Sequence, residues 1–362
     1  MINLPEKIYE RLADDESKAL FNARWDYYAN RDLHNLEERL REISSPNDSF
    51  MFKEYEKLNI NIKNGDKAVI VGAGANGGHI YSFLTIACKC EIVCFADNNP
   101  AKVGNTYYNK PVVSVDSLNQ GYDDCIAIVS VGDPVSREEL YRQLVSIGVK
   151  SENICMSFFN SKPFRGWDIF LKNRRIQYFD VPYITPLGKE EVFMDVGCFD
   201  GATTKAFIEW NGNQYDKIYA FEPDPENYKK CSPIISNLER AQLFNAGAWS
   251  SDTKLKFRGG IGSGARINEK GTNIVDVMNL DNLLNGEKAT FIKMDVEGAE
   301  LEALKGVQNT IRRFKPRLAI SMYHKPEDIW EIPVFLMETR PDYDFAMRHY
   351  NLIQYETVLY AW

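Results

Sequence analysis

No apolar run of about 18 residues occurs in this chain, so no segment of it reads as a membrane-spanning helix. Long Lys/Arg runs are missing too. With a formal net charge of −8, a nonspecific grip on nucleic acid is excluded as a function. The N-terminal Met1-Ile-Asn-Leu-Pro-Glu-Lys lacks the apolar core of a signal peptide, and a cytoplasmic protein is the expectation. Cysteines are few, seven in 362 residues, and scattered. Reduced thiols follow from that usage. Cys88, Cys90 and Cys94 make a C-x-C-x3-C spacing with no matching second pair, so they read as strand or core residues, not as a metal clasp.

What is present is ordinary globular material, 44% hydrophobic and 26% charged, in a chain long enough for two domains. Residues 1–62 have helical spacing, with Leu33, Leu36, Leu40 and Ile43 on one stripe. A break at Ser44-Ser-Pro46 precedes a second helix over about Phe50–Leu58. This segment reads as a helical cap or dimerisation arm, which leaves a homo-oligomer open.

Residues 63–156 alternate strand and helix. Strands at Ala68–Val71, Glu91–Ala96, Pro111–Val115, Cys125–Val131 and Ile154–Met156 flank helices at His79–Ala87 and Ser136–Ile147, which implies a small parallel sheet. Residues 157–190 form an aromatic-rich connector, with a short helix at Trp167–Arg174. From 191 to 362 the alternation resumes. Strands are expected at Val192–Val196, Lys217–Phe221, Gln242–Ala246, Thr290–Asp295 and Arg317–Met322, and helices at about Thr203–Trp210, Glu226–Leu238 and Glu297–Phe314. The tail segments Tyr343–Arg348 and Glu356–Tyr360 read as an antiparallel pair. Paired glycines between Gly247 and Leu280 suggest a hairpin insertion.

Two glycine turns compete for a ligand. The first, Gly72-Ala-Gly74-Ala-Asn-Gly77, has the G-x-G-x-x-G form, with Asp97 about twenty residues on, as a nicotinamide dinucleotide site requires. An NAD(P)-dependent oxidoreductase is therefore a rival reading, as is a non-catalytic nucleotide-binding scaffold. Only one βαβαβ half is present, however, and no Tyr-x-x-x-Lys pair follows. A nucleotide or nucleotide-sugar is the candidate ligand of that small Rossmann-type unit.

The second turn follows Val192–Val196 as Asp195-Val-Gly197-Cys-Phe-Asp-Gly201. Glu222 ends the next strand, where a carboxylate can accept both hydrogen bonds of a ribose diol. Asp295 and His324 end two further strands, so four strand ends deliver Asp195, Glu222, Asp295 and His324 to one rim.

The pattern D-x-G-x-x-x-G resembles the S-adenosylmethionine-binding motif of class I methyltransferases. Together with Phe221-Glu222-Pro, Lys293-Met-Asp295-Val-Glu297-Gly298-Ala-Glu300, Tyr323-His-Lys-Pro, Arg348-His349-Tyr350 and Glu356-Thr357-Val-Leu-Tyr, it resembles the FkbM-type methyltransferase family over roughly Glu190 to Trp362. The resemblance implies an α/β fold with a mostly parallel class I methyltransferase sheet, an antiparallel tail strand and a smaller Rossmann-like domain upstream. It also implies O-methyl transfer from S-adenosylmethionine to a hydroxyl of a saccharide or related small molecule. Asp195, Gly197, Gly201, Glu222 and Asp295 would then bind the cofactor. A hydroxyl acceptor needs a proton acceptor nearby. His324 is the first candidate base, Asp295 the second and Glu297 the third. No resident metal is expected; a divalent ion held by Asp295, His324 and His349 is the alternative weighed. Acceptor contacts are expected from the Gly259–Thr272 insertion, where Ser263 and Arg266 could meet a phosphate or sugar hydroxyl, and from the connector.

Overall fold

The apolar runs of the C-terminal half pair into one seven-stranded sheet in the computed structural model, which describes residues 4–44, 62–156, 158, 176–259, 266–267 and 271–362. Across the sheet the strands are Phe345–His349, Thr357–Ala361, Arg317–Ser321, Phe291–Met294, Val192–Val196, Lys217–Phe221 and Ala241–Phe244. Thr357–Ala361 runs antiparallel to both neighbours, and the remaining pairs are parallel. Val192–Val196 is buried at all five positions, the pattern of a strand covered on both faces. Strand order reverses between Val192–Val196 and Phe291–Met294, which opens a crevice at their C-terminal ends. Phe193 stacks on Phe207 at 4.0 Å, with Phe291 beside them. All three are fully enclosed, and each such side chain contributes roughly 1.5–3 kcal/mol.

The N-terminal residues protect the edge of this sheet. Leu12 bridges to Phe345, and the helix Asp15–Asn30 packs on the strand Phe345–His349, so the edge is not left open. Asp14 caps that helix by accepting from the Ser17 amide at 2.9 Å and the Ser17 hydroxyl at 2.6 Å. It also takes a two-pronged ion pair from Arg348, at 2.7 and 3.1 Å. Burial alone would raise the Asp14 carboxyl. The hydrogen bonds from Arg348 and Ser17 outweigh it and hold the group below the usual carboxylate range.

A second unit comprises residues 32–175 and 350–355. Its six strands lie in the order Thr106–Tyr107, Lys110–Ser114, Glu91–Asp97, Lys67–Val71, Ile126–Val129, Ile154–Cys155. All pairs are parallel except the hairpin at Thr106–Ser114. Helices Ala75–Ala87 and Pro134–Ser146 contribute to its two apolar clusters.

The boundaries expected at 62, 156 and 190 are not the ones this chain uses. Residues 1–31 fold with the seven-stranded sheet, residue 176 re-enters that unit, and residues 350–355 return to the other. The return has a packing cause, since Leu352 and Ile353 are buried in the small unit's core, and Asn351 Oδ1 lies 2.9 Å from the His79 ring. The helix expected over Glu297–Phe314 is two helices, Glu300–Lys305 and Gln308–Phe314. Glu297 and Gly298 adopt left-handed backbone (φ 54° and 94°), which delays its start. At its middle, the Trp249 carbonyl sits so close to Gly306 that a Cβ there would lie 2.0 Å away. Asp328–Thr339 forms a helix that the sequence reading did not anticipate, with Pro333 inside it.

The tail pair is antiparallel as expected, and the insertion carries the antiparallel strands Thr253–Arg258 and Asn273–Met278. Phe50–Leu58, Trp167–Arg174 and Ser263 lie outside the described residues, as does the Arg266 side chain. No disulfide joins any two of the seven cysteines. Among the described residues, no helix is long and apolar enough to cross a membrane.

Asp14→Ala should cost about 1–3 kcal/mol in urea titrations at pH 7, through the lost cap and the lost ion pair with Arg348. Because the folded carboxyl titrates below its unfolded value of about 3.9, this contribution is complete above that pH and is lost as pH falls through the folded value. The gap between wild type and variant should therefore narrow below about pH 4.

Candidate active site

The strand Val192–Val196 positions the turn, and the turn needs glycine. Gly197 has φ +84°, and a Cβ there would fall 1.9 Å from the Asp295 carbonyl oxygen. The amides of Gly197 and Cys198 both donate to the Phe221 carbonyl at 3.0 Å, which fixes the turn to the next strand's end. Gly201 (φ +82°) then leads into the helix Ala202–Trp210.

Beneath the turn, Asp195 is fully buried. One oxygen accepts from Thr204 Oγ1 at 2.7 Å, and the other lies 3.1 Å from Lys293 Nζ. Lys293, itself 1% exposed, also donates to the Gly197 carbonyl at 2.6 Å. Burial would lower the lysine's pKa, but Asp195 and Asp295 more than offset it and the ammonium is raised above its ordinary value. Asp195 thus sits below the rim, as the counter-charge that holds Lys293 under the turn.

Glu222 lies at the rim and is 5% exposed. Its two oxygens accept from the Phe199 amide (3.0 Å) and the Asp224 amide (2.9 Å). Burial pushes its carboxyl up to about 7, against the pull of those two amides.

Across the crevice a carboxylate-rich cluster surrounds one imidazole. Asp295 accepts from Tyr178 at 2.9 Å and Tyr323 at 3.3 Å. His324 Nε2 lies 3.6 Å from one oxygen each of Asp295 and Glu297, while Nδ1 faces Glu300 at 2.9 Å. Glu356, held by Gln177 at 2.6 Å, stands close enough to raise its own carboxyl to about 7, through burial first and Asp295 second. Burial would lower the His324 pKa, but Glu300, Glu297 and Asp295 prevail and raise it well above its ordinary value. A neutral imidazole poised as a simple base is therefore not what these surroundings favour.

Glu222, Asp295 and His324 all reach the C-terminal edge of the sheet, with Asp195 beneath. His349 does not join them. It is fully buried, and its Nδ1 lies 2.8 Å from Thr357 Oγ1. Asp295, Glu297 and His324 instead present one ligand atom each within 4.8 Å of one another. Sequence reading missed the parts of Tyr178, Gln177, Glu356 and Lys293 in this site. The readable clue was Lys293, a charge inside an otherwise apolar strand, which requires a buried carboxylate partner.

In the small unit, the Gly72 turn has the expected strand–turn–helix geometry. A Cβ on Gly77 would lie 2.2 Å from the Gly72 carbonyl oxygen, so close strand–helix packing alone accounts for that glycine. The Asp97 carboxylate is already engaged by the amides of Ala73 and Asn99 and by Lys102, each at 2.9 Å. Beside the turn is a cavity of about 200 Å³ lined by Gly72, Asp97, Asn98, Val131, Ser136 and Gln143.

A family described as Methyltransferase FkbM domain matches residues 195–351. No curated protein matches the sequence. Among solved structures, methyltransferase FkbM from Methylobacillus flagellatus KT is similar over 96% of this chain and 99% of its own, at 19% identity and a TM-score of 0.50, which establishes a shared fold. An rRNA methylase from Streptococcus thermophilus (19% identity, TM-score 0.32) aligns with 48% of this chain and 87% of its own. Fibrillarin from Aeropyrum pernix, solved with natively bound S-adenosyl-L-methionine, aligns with 51% and 71% at 11% identity and a TM-score of 0.34.

Removing one half of the buried pair should be costly. Lys293→Met leaves Asp195 charged and enclosed, and should lose about 3–5 kcal/mol in urea titrations. Adding Asp195→Leu should recover much of that loss, because an uncompensated buried charge is then no longer present.

Proposed function

We propose that this chain, a methyltransferase whose residues 195–351 match the Methyltransferase FkbM domain family, transfers a methyl group from S-adenosylmethionine to a hydroxyl of a saccharide or saccharide-linked small molecule. The observation that carries this reading is the placement of Glu222 and Asp295 on either side of the glycine turn, at the point where strand order reverses. S-adenosylmethionine is the methyl donor of this enzyme class, and its sulfonium suits the donor set here, where Asp295, Glu297 and Glu356 put excess negative charge at the rim. When bound, the cofactor supplies an already activated methyl group.

The remaining work belongs to the chain. Gly197 and Gly201 would let the backbone approach the cofactor, Glu222 would accept the ribose hydroxyls, and Asp195 would support the turn through Lys293 and Thr204. Asp295 and His324 would handle the acceptor's proton, with Tyr178 and Tyr323 holding the carboxylate in place. A saccharide acceptor rests on the family likeness, and the polar rim suits a polyhydroxylated molecule. In the small unit, a nucleotide or nucleotide-sugar would use the cavity beside Gly72. Unlike Glu222, Asp97 is already neutralised by an ammonium, that of Lys102 at 2.9 Å, and this speaks against a nicotinamide ribose there.

Calorimetry should detect S-adenosylmethionine binding and no heat with NADH; the reverse result overturns the proposal. Glu222→Gln should weaken that binding. An ionised Glu222 is the better acceptor for ribose, so wild-type affinity should rise as pH passes through about 7, by about tenfold between pH 6 and pH 8. Asp295→Asn should weaken cofactor binding and, at saturating cofactor, lower turnover at least about 100-fold, read as S-adenosylhomocysteine formed with a panel of sugars and nucleotide-sugars.

A further inference from the structure

We propose that Asp295, Glu297 and His324 form a binding site for one first-row divalent cation of the Mn²⁺ or Co²⁺ class, which holds the acceptor's hydroxyl oxygen. The role given to the cation rests on the methyltransferase reading above; the binding itself does not.

The geometry around His324 carries the inference. Its side chain is 9% exposed, and neither ring nitrogen makes a hydrogen bond of good geometry. That nitrogen points at one oxygen of Asp295 and one of Glu297, each 3.6 Å away. Such a separation is too long for an N–H···O hydrogen bond. It matches two ligands sharing one ion, since donors about 2.1 Å from a metal and roughly tetrahedral about it stand about 3.4 Å apart.

The other ring nitrogen supports the assignment. Nδ1 lies 2.9 Å from Glu300, whose carboxylate is fixed by the Val296 amide at 2.9 Å. With an ion on Nε2, the ring proton would sit on Nδ1 facing the Glu300 carboxylate, the second-shell arrangement of metal-binding histidines. A cation placed between Nε2 and the two carboxylates would balance the charge those carboxylates bring together. Asp295 has its own outer support in Tyr178 and Tyr323. Glu297 reaches the cluster from a left-handed backbone (φ 54°), a strained conformation for a residue with a side chain.

Ligand chemistry selects the ion. One imidazole with two carboxylates suits first-row transition cations, whereas Mg²⁺ and Ca²⁺ prefer oxygen alone. Three protein ligands leave coordination positions open. With the ion bound, a hydroxyl in one of those positions would lose its proton more readily. Glu356, the neighbouring carboxylate outside the ligand set, would take that proton as the methyl group passes from the sulfonium to the hydroxyl oxygen. An acceptor with a second oxygen beside the reacting hydroxyl, as in a vicinal diol, could occupy two of those positions.

The test uses full-length, tag-free protein stripped with a chelator and then titrated with MnCl₂, reading free Mn²⁺ by electron paramagnetic resonance. One Mn²⁺ per chain should bind, and pulsed spectra of the bound ion should carry ¹⁴N couplings from a coordinated imidazole. Glu297→Gln and His324→Gln should each weaken binding at least about tenfold, and His324→Gln should abolish the nitrogen coupling. Calorimetry with S-adenosylmethionine in EDTA tests whether the variants are folded and whether the enzyme reading holds independently of metal. Absence of binding at millimolar Mn²⁺ and Co²⁺, a bound ion without nitrogen coupling, or unchanged affinity in folded Glu297→Gln would overturn the proposal. Cofactor binding without metal binding would sink the cation site and leave the methyltransferase reading intact. Metal binding without cofactor binding would do the reverse.

Discussion

The buried ion pair between Lys293 and Asp195 joins the two strands on which the site is built. Phe291–Met294 and Val192–Val196 are adjacent and parallel, and Lys293 registers directly with Asp195. The ammonium also reaches the Gly197 carbonyl, so one charge anchors a sheet strand and the glycine turn that follows its neighbour. Burial of an ion pair is costly in general, and a well-packed apolar pair could give comparable stability. What an apolar pair could not do is hold a carbonyl in place. Gly197 must sit against the Asp295 carbonyl with no room for a side chain, and Lys293 is the group that draws that turn inward.

Around this anchor the rim accumulates negative charge. Asp295, Glu297, Glu300 and Glu356 surround a single imidazole, and Lys293 is already matched by Asp195. Such a surplus is unstable by itself and calls for cations: a proton, a sulfonium, a metal ion or a combination of them. The tyrosines Tyr178 and Tyr323 take up two oxygens of Asp295 without relieving the charge. The small unit shows the opposite design. Asp97 is satisfied by two amides and a lysine, and its carboxylate makes no comparable demand.

Legibility in the sequence followed the range of the interactions. The strands, the two glycine turns and the positions of Glu222, Asp295 and His324 depend on local spacing, and all appear where expected. Helix breaks at Glu297 and Gly306 depend on a close backbone approach from Trp249 and on left-handed conformations that residue types other than glycine rarely reveal. The seam between the units was misread for the same reason. Residues 1–31 cover an edge strand more than 300 positions away, and Leu352 fills a core built from residues beginning near Ile62.

The amino-acid order alone determined an α/β chain, two glycine turns at strand ends, and that Glu222 and Asp295 end the strands on either side of the second of them, because strand alternation and sheet topology deliver successive strand ends to one edge. Only the tertiary structure decided the company those carboxylates keep. It brought Tyr178 and Gln177 from the connector and Glu356 from the tail, removed His349 to a buried contact with Thr357, and turned His324 between Glu300 and the Asp295–Glu297 pair. The physical reason is that charge balance in a buried site is set by distances of a few ångströms between residues far apart in the chain, and no local pattern records them.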